Sequence, residues 1–103
     1  MKRIFRNPEI LWREEEDAVE KAKSLMEEGG EAGEIGTSIL FFDGTMVTLN
    51  ILGTEIWKRC ENCTEDEIIA ELLQEFDVDE NTLRTDVATF LNELANKRYI
   101  IYA

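Results

Sequence analysis

The chain has no histidine, a single proline (Pro8), two cysteines (Cys60 and Cys63) and only 11 basic residues against 23 acidic ones. Each shortage removes a class of function. Without histidine, the commonest general base and the commonest neutral metal ligand are missing. The formal charge of −12 opposes phosphate-rich partners, because affinity for nucleic acid or anionic lipid comes from Lys and Arg. No apolar run is long enough to span a bilayer. The start, MKRIFRNPEI, carries positive charge with no continuous apolar stretch behind it, so it does not read as a signal peptide. The expected setting is cytoplasmic, with no nucleic acid and no membrane as partner.

What remains is a chain of 103 residues, 44% hydrophobic, enough for one compact core and one domain. After Pro8, Ile10 to Arg13 reads as a short strand. In Glu14 to Glu28, Ala18, Val19, Ala22, Leu25 and Met26 share one helical face, with Glu and Lys on the other. Gly29, Gly30, Gly33 and Gly36 then break a short acidic stretch into a loop. Together, residues from about 14 to 36 form an acidic helical insert. Ser38–Phe42 and Met46–Leu49 read as two strands. Asp43-Gly44 between them tolerates the positive φ angles of a tight hairpin of two or three residues.

Three helices follow. Asn50 caps the first, its side chain accepting a backbone N–H near Leu52 or Gly53. Gly53 inside that helix suggests close approach of another backbone. Thr64-Glu65-Asp66-Glu67 is a capping box that starts the second, with Ile68, Ile69, Leu72, Leu73 and Phe76 as its buried stripe. The third starts at Asp79, stapled by Val78 and Leu83, and repeats apolar residues at Leu83, Val87, Phe90, Leu91 and Leu94. It ends near Lys97-Arg98, where positive charge suits the dipole. Tyr99–Tyr102 is an apolar tail over the core. The expected fold is α+β: a three-stranded antiparallel sheet followed by three helices, close to a winged helix.

Three chemical constellations have plainer explanations. CENC at Cys60–Cys63 has CxxC spacing, but one pair supplies two ligands where a closed zinc site needs four. A thioredoxin-type motif opens a helix after a strand, whereas this one lies between helices. Cys63 precedes the cap Thr64 and lies five residues before Ile68, as a staple does, and Asn62 suits a left-handed turn. No metal, cofactor or enzymatic activity is expected. The insert lacks EF-hand spacing, so calcium is not indicated. A winged-helix nucleic-acid-binding or regulatory module is the alternative function, but the reading helix would present Thr85, Asp86, Thr89 and Glu93 to phosphate, with Arg84 its sole early base.

LNILGTEIW (Leu49–Trp57) followed by Thr64–Leu94 resembles the PqqD family of peptide chaperones. The resemblance rests on Asn50, Gly53, Ile56 and Trp57, then Ile68 to Leu72, then Asp86-Val87 and Phe90-Leu91, in order and spacing. It covers roughly Asn7 to Ile101 without the insert. The insert, and Asn62 where glycine is common, depart from the pattern. The resemblance implies a precursor-peptide recognition element that binds the leader of a ribosomally made peptide. It also implies presentation to a modifying enzyme, often a radical S-adenosylmethionine enzyme, with the leader held between the third strand and the third helix. The expected peptide-binding residues are Met46, Val47, Thr48 and Leu49 on the strand, through their backbone, and Leu83, Arg84, Val87, Leu91 and Leu94 on the helix. Arg84 would meet a leader carboxylate. An open strand edge also permits a homodimer.

Overall fold

The structure, a computed structural model, describes residues 2–103. The chain forms two compact units. One is Pro8–Glu55; the other joins the N-terminal residues up to Asn7 to Ile56–Ala103.

In Pro8–Glu55, strand β2 (Leu11–Glu14) leads into helix α1 (Glu16–Glu27), then β3 (Ser38–Phe42) and β4 (Thr45–Leu49). They form an antiparallel sheet in the order β2-β3-β4. This is the expected three-stranded sheet with the helical insert between its first two strands. Asp43 (φ 51°) and Gly44 (φ 77°) both lie in the left-handed region, and Phe42 pairs with Thr45. The hairpin loop therefore has two residues and the primed geometry that suits strand twist. α1 ends in a Schellman motif. Gly29, at φ 81°, donates to the carbonyl of Met26 at 3.0 Å, and Gly30 to that of Leu25 at 2.8 Å. Its apolar stripe is buried at Ala22 and half-buried at Ala18, Val19, Leu25 and Met26.

Helix α2 (Ile51–Arg59) begins in this unit. Asn50 Oδ1 accepts the N–H of Gly53 at 2.9 Å, the expected cap. One turn in, Thr54 is fully buried with Thr37 and Ser38. Its Oγ1 lies 2.6 Å from Thr37 Oγ1 and 2.7 Å from Ser38 Oγ. Thr37 Oγ1 in turn donates to the Leu49 carbonyl at 3.3 Å. The order Ser38 to Thr54 to Thr37 to Leu49 gives each hydroxyl one donation, so no buried hydrogen is stranded.

The other unit carries a second antiparallel sheet, which corrects the expectation of a single one. β1 (Ile4–Arg6) lies between β5 (Glu61–Cys63) and β6 (Ile100–Tyr102). The apolar tail is thus a strand, with Ile100 buried and Ile101 half-exposed. β5 contains Asn62 at φ 62°. It is left-handed as expected, but as the extra residue of a bulge between the Ile4–Cys63 and Phe5–Glu61 pairs rather than as a helix end. Among the described residues there are four helices, α1 and α2 followed by α3 (Glu65–Glu75) and α4 (Glu80–Asn96).

Capping of α3 and α4 follows the sequence reading. Thr64 Oγ1 accepts the Glu67 N–H at 3.2 Å, and Glu67 Oε1 accepts the Thr64 N–H at 2.9 Å. Asp79 Oδ2 accepts the N–H and hydroxyl of Thr82 at 2.9 and 3.0 Å. α4 closes on a Schellman motif whose left-handed residue is Arg98 (φ 64°), with Tyr99 donating to Leu94 at 2.8 Å.

Backbone hydrogen bonds from Thr64 and Thr82 hold the Glu67 and Asp79 carboxyls below their ordinary pKa. A depressed carboxylate contributes stability above its unfolded pKa and loses it as pH falls through the folded value. Urea midpoints are therefore expected to fall below about pH 4, where free Asp and Glu titrate. The double variant Glu67→Gln, Asp79→Asn keeps both caps but should fall less steeply; equal pH slopes in the two proteins would contradict this origin.

Candidate functional site

The candidate site is the outer edge of β4. Among the described residues, β4 pairs with β3 alone. The two-residue turn makes Phe42–Thr45 a hydrogen-bonded pair, and alternation makes Leu40–Val47 and Ser38–Leu49 the next two. Val47 thus directs its N–H and C=O to β3. Met46 and Thr48 direct theirs away from the sheet. The β2 side agrees: Glu15 donates to the Thr37 carbonyl at 2.8 Å, so Ile39 and Phe41 face β2 while Ser38, Leu40 and Phe42 face β4; the Thr37 N–H itself turns the other way, to the Leu49 carbonyl at 2.8 Å. Of the backbone groups expected to meet a peptide, those of Met46 and Thr48 look outward and those of Val47 and Leu49 do not.

Side chains on β4 alternate accordingly. Val47 is half-buried and Leu49 buried, on the face with Leu40. Met46 and Thr48 are exposed on the opposite face, Met46 at 59%. A Cβ on Gly36 would stand 2.5 Å from Thr48 Cγ2, so only glycine fits there without displacement. Asn50 Nδ2 reaches the Gly33 carbonyl at 3.3 Å, tying the end of the acidic loop to the strand's end.

The expected residues of α4 lie together on one helix in the other unit. Leu83, Val87, Leu91 and Leu94 are all 3% exposed or less, so this stripe is core. Helix periodicity alone does not separate a buried stripe from a pocket wall. Arg84 is exposed but engaged: its Nε donates to Glu80 at 2.9 Å and its Nη1 to Asp66 at 3.3 Å. Those bonds raise its pKa and keep it charged. The outward positions Thr85, Asp86, Thr89 and Glu93 are exposed as expected of a face that repels phosphate.

Arginines that pattern reading passed over organise this unit. Arg6 Nη1 donates to the carbonyls of Trp57 and Lys58 at 3.3 and 3.0 Å, at the electronegative end of α2. Its guanidinium also lies 5.9 Å from the Trp57 ring centre. Arg59 meets Glu71 and Glu75 on α3 at 3.3 and 2.6 Å, and Arg3 meets Glu67 at 3.1 Å. Arg59 could have been signalled by its place in the last turn of α2, whereas Arg3 and Arg6 reach their partners only through the pairing of β1.

Both cysteines are free, and Cys60 is fully buried with its Sγ donating to the Ile56 carbonyl at 3.2 Å. Burial pushes the Cys60 thiol up to about 12. Cys63 is also raised, by burial and then by Glu67 and Glu71. A raised thiol is a poor nucleophile and a poor ligand. Among the described residues no cluster of three or more Cys, Asp or Glu side chains could hold a metal ion, and no helix is long and apolar enough to cross a membrane.

The family model described as "Coenzyme PQQ synthesis protein D (PqqD)" matches residues 23–100. No curated protein matches the sequence. A solved structure titled "TbiB1 in Complex with the TbiA(beta) Leader Peptide" is similar in fold, with a TM-score of 0.68, 22% identity and 93% of each chain covered.

At pH 8, iodoacetamide is expected to label native Cys63 slowly and Cys60 only after unfolding, as read by peptide mass spectrometry. Labelling of native Cys60 at the unfolded rate, or stoichiometric zinc on the purified chain, would restore the CxxC pair as a functional site.

Proposed function

We propose, on the premise that this chain belongs to the PqqD family, that it binds the leader of a ribosomally made precursor peptide by strand addition at β4. It presents that peptide to a separate modifying enzyme, a radical S-adenosylmethionine enzyme by family analogy, and performs no catalysis itself. The work is cytoplasmic. One observation carries the reading: β4 is an edge strand whose Met46 and Thr48 backbone groups point outward. The TbiB1 structure supports it, as a complex of a protein similar in fold with a leader peptide.

Magnitudes say how far the edge goes alone. Two N–H and two C=O groups offer four hydrogen bonds, each about 0.5–1.5 kcal/mol net. Micromolar affinity needs about −8 kcal/mol after ordering costs. The edge thus supplies direction and register, and side-chain contacts supply the remaining affinity. A nucleic-acid role gains nothing from this geometry, because Arg84 is already bound to carboxylates and the charge is −12.

Thr48→Pro tests the edge, since it removes an outward N–H and leaves the β3–β4 ladder intact. Val47→Pro would instead break that ladder. Titrated by fluorescence anisotropy with a leader from a precursor gene beside its own, Thr48→Pro should bind at least about tenfold more weakly, equivalent to about 1.4 kcal/mol. Unchanged affinity in a folded variant would remove strand addition from the mechanism.

A further inference from the structure

The sheet β2-β3-β4 has an outer face that backbone pairing leaves unused. Register sets Leu11, Phe41 and Met46 side by side in one row across the three strands. They are 74, 50 and 59% exposed. With Trp12, Arg13 and Ile39 they line a cavity of about 300 Å³. The opposite face holds buried Leu40 and half-buried Val47. Antiparallel sheets covered on one side ordinarily turn polar residues outward. Here both faces are apolar, and three adjacent large side chains in one row mark a contact surface where a single one would not.

The row ends at Met46, which is also a residue whose N–H and C=O leave the edge. In an antiparallel addition, a strand bonded there places one residue directly opposite Met46. Cross-strand partners share a face, with Cβ atoms about 5 Å apart. That residue becomes the fourth member of the row, and a long side chain reaches over Met46 to Phe41. A carboxylate at this position would meet apolar side chains on a chain of net charge −12.

We propose that the chain selects its guest by one large apolar or aromatic side chain, set opposite Met46 and laid across Met46 and Phe41 on the outer face of the sheet. The inference rests on strand addition at β4 and adds a specificity position to it. Met46 and Phe41 act as the reading residues; the edge groups of Met46 and Thr48 only hold the guest in register.

Random 12-residue peptides displayed on phage and selected on the immobilised full chain supply the test. The expected result is enrichment of Phe, Tyr, Trp, Leu or Met at one fixed position. On Met46→Lys that preference should fall at least about tenfold and give way to Asp or Glu, with Phe41→Lys shifting it in the same direction. Both sites are exposed, so neither change disturbs the core. Enrichment that Thr48→Pro abolishes, but that keeps its apolar position on both Lys variants, overturns this proposal alone. Enrichment that survives Thr48→Pro, or none on the unaltered chain, overturns strand addition and this proposal with it.

Discussion

The turn at Asp43-Gly44 is the constraint on which the account depends. Both residues sit at positive φ, so the loop has two residues and the pairing of Phe42 with Thr45 is set. From that one pair, alternation decides which backbone groups of β4 are spent on β3 and which look outward. It also decides which side chains are buried with Leu40 and which join Phe41 on the open face. A third residue in the loop would exchange Met46 and Thr48 for Val47 at the edge and turn Val47 outward. The open backbone edge and the apolar row on the outer face are thus two consequences of one turn.

The hydroxyl chain through Ser38, Thr54 and Thr37 does related work on the other side of the strand. It fastens the start of α2 to β3 and to the Leu49 carbonyl, where hydrophobic contact alone would leave the helix free to slide. Buried hydrogen bonds of this kind contribute little individually, but a broken one strands a polar group at a cost of about 1–3 kcal/mol. Asn50 sits between the two devices, ending β4 and capping α2 through Gly53. The edge is therefore presented by a strand fixed at both ends.

Much of this was legible in the residues because local chemistry dictates it. The Asp-Gly pair, the Asn50 and Thr64 caps, the Asp79 cap and the amphipathic periods of α1, α3 and α4 each act over a few neighbours, and each is in place. The second sheet was not legible. β1 and β5 are three residues each, too short for alternation to show, and Glu61-Asn62 has no strand propensity; pairing with β1 makes it a strand. On α4, the period located the apolar face but carried no information on whether Leu83, Val87, Leu91 and Leu94 met solvent. The direction of the Val47 backbone depended on loop length, which Thr45 left open between two and three. The apolar outer face became visible only when register brought Leu11, Phe41 and Met46, far apart in sequence, into one row.

Amide hydrogen exchange by NMR, with and without bound leader peptide, tests the central claim most directly. Val47 should exchange slowly in both states, because its N–H is already committed to β3. Met46 and Thr48 should exchange rapidly in the free chain and become protected on binding. Protection that leaves Met46 and Thr48 unchanged while peptide is demonstrably bound would contradict the account.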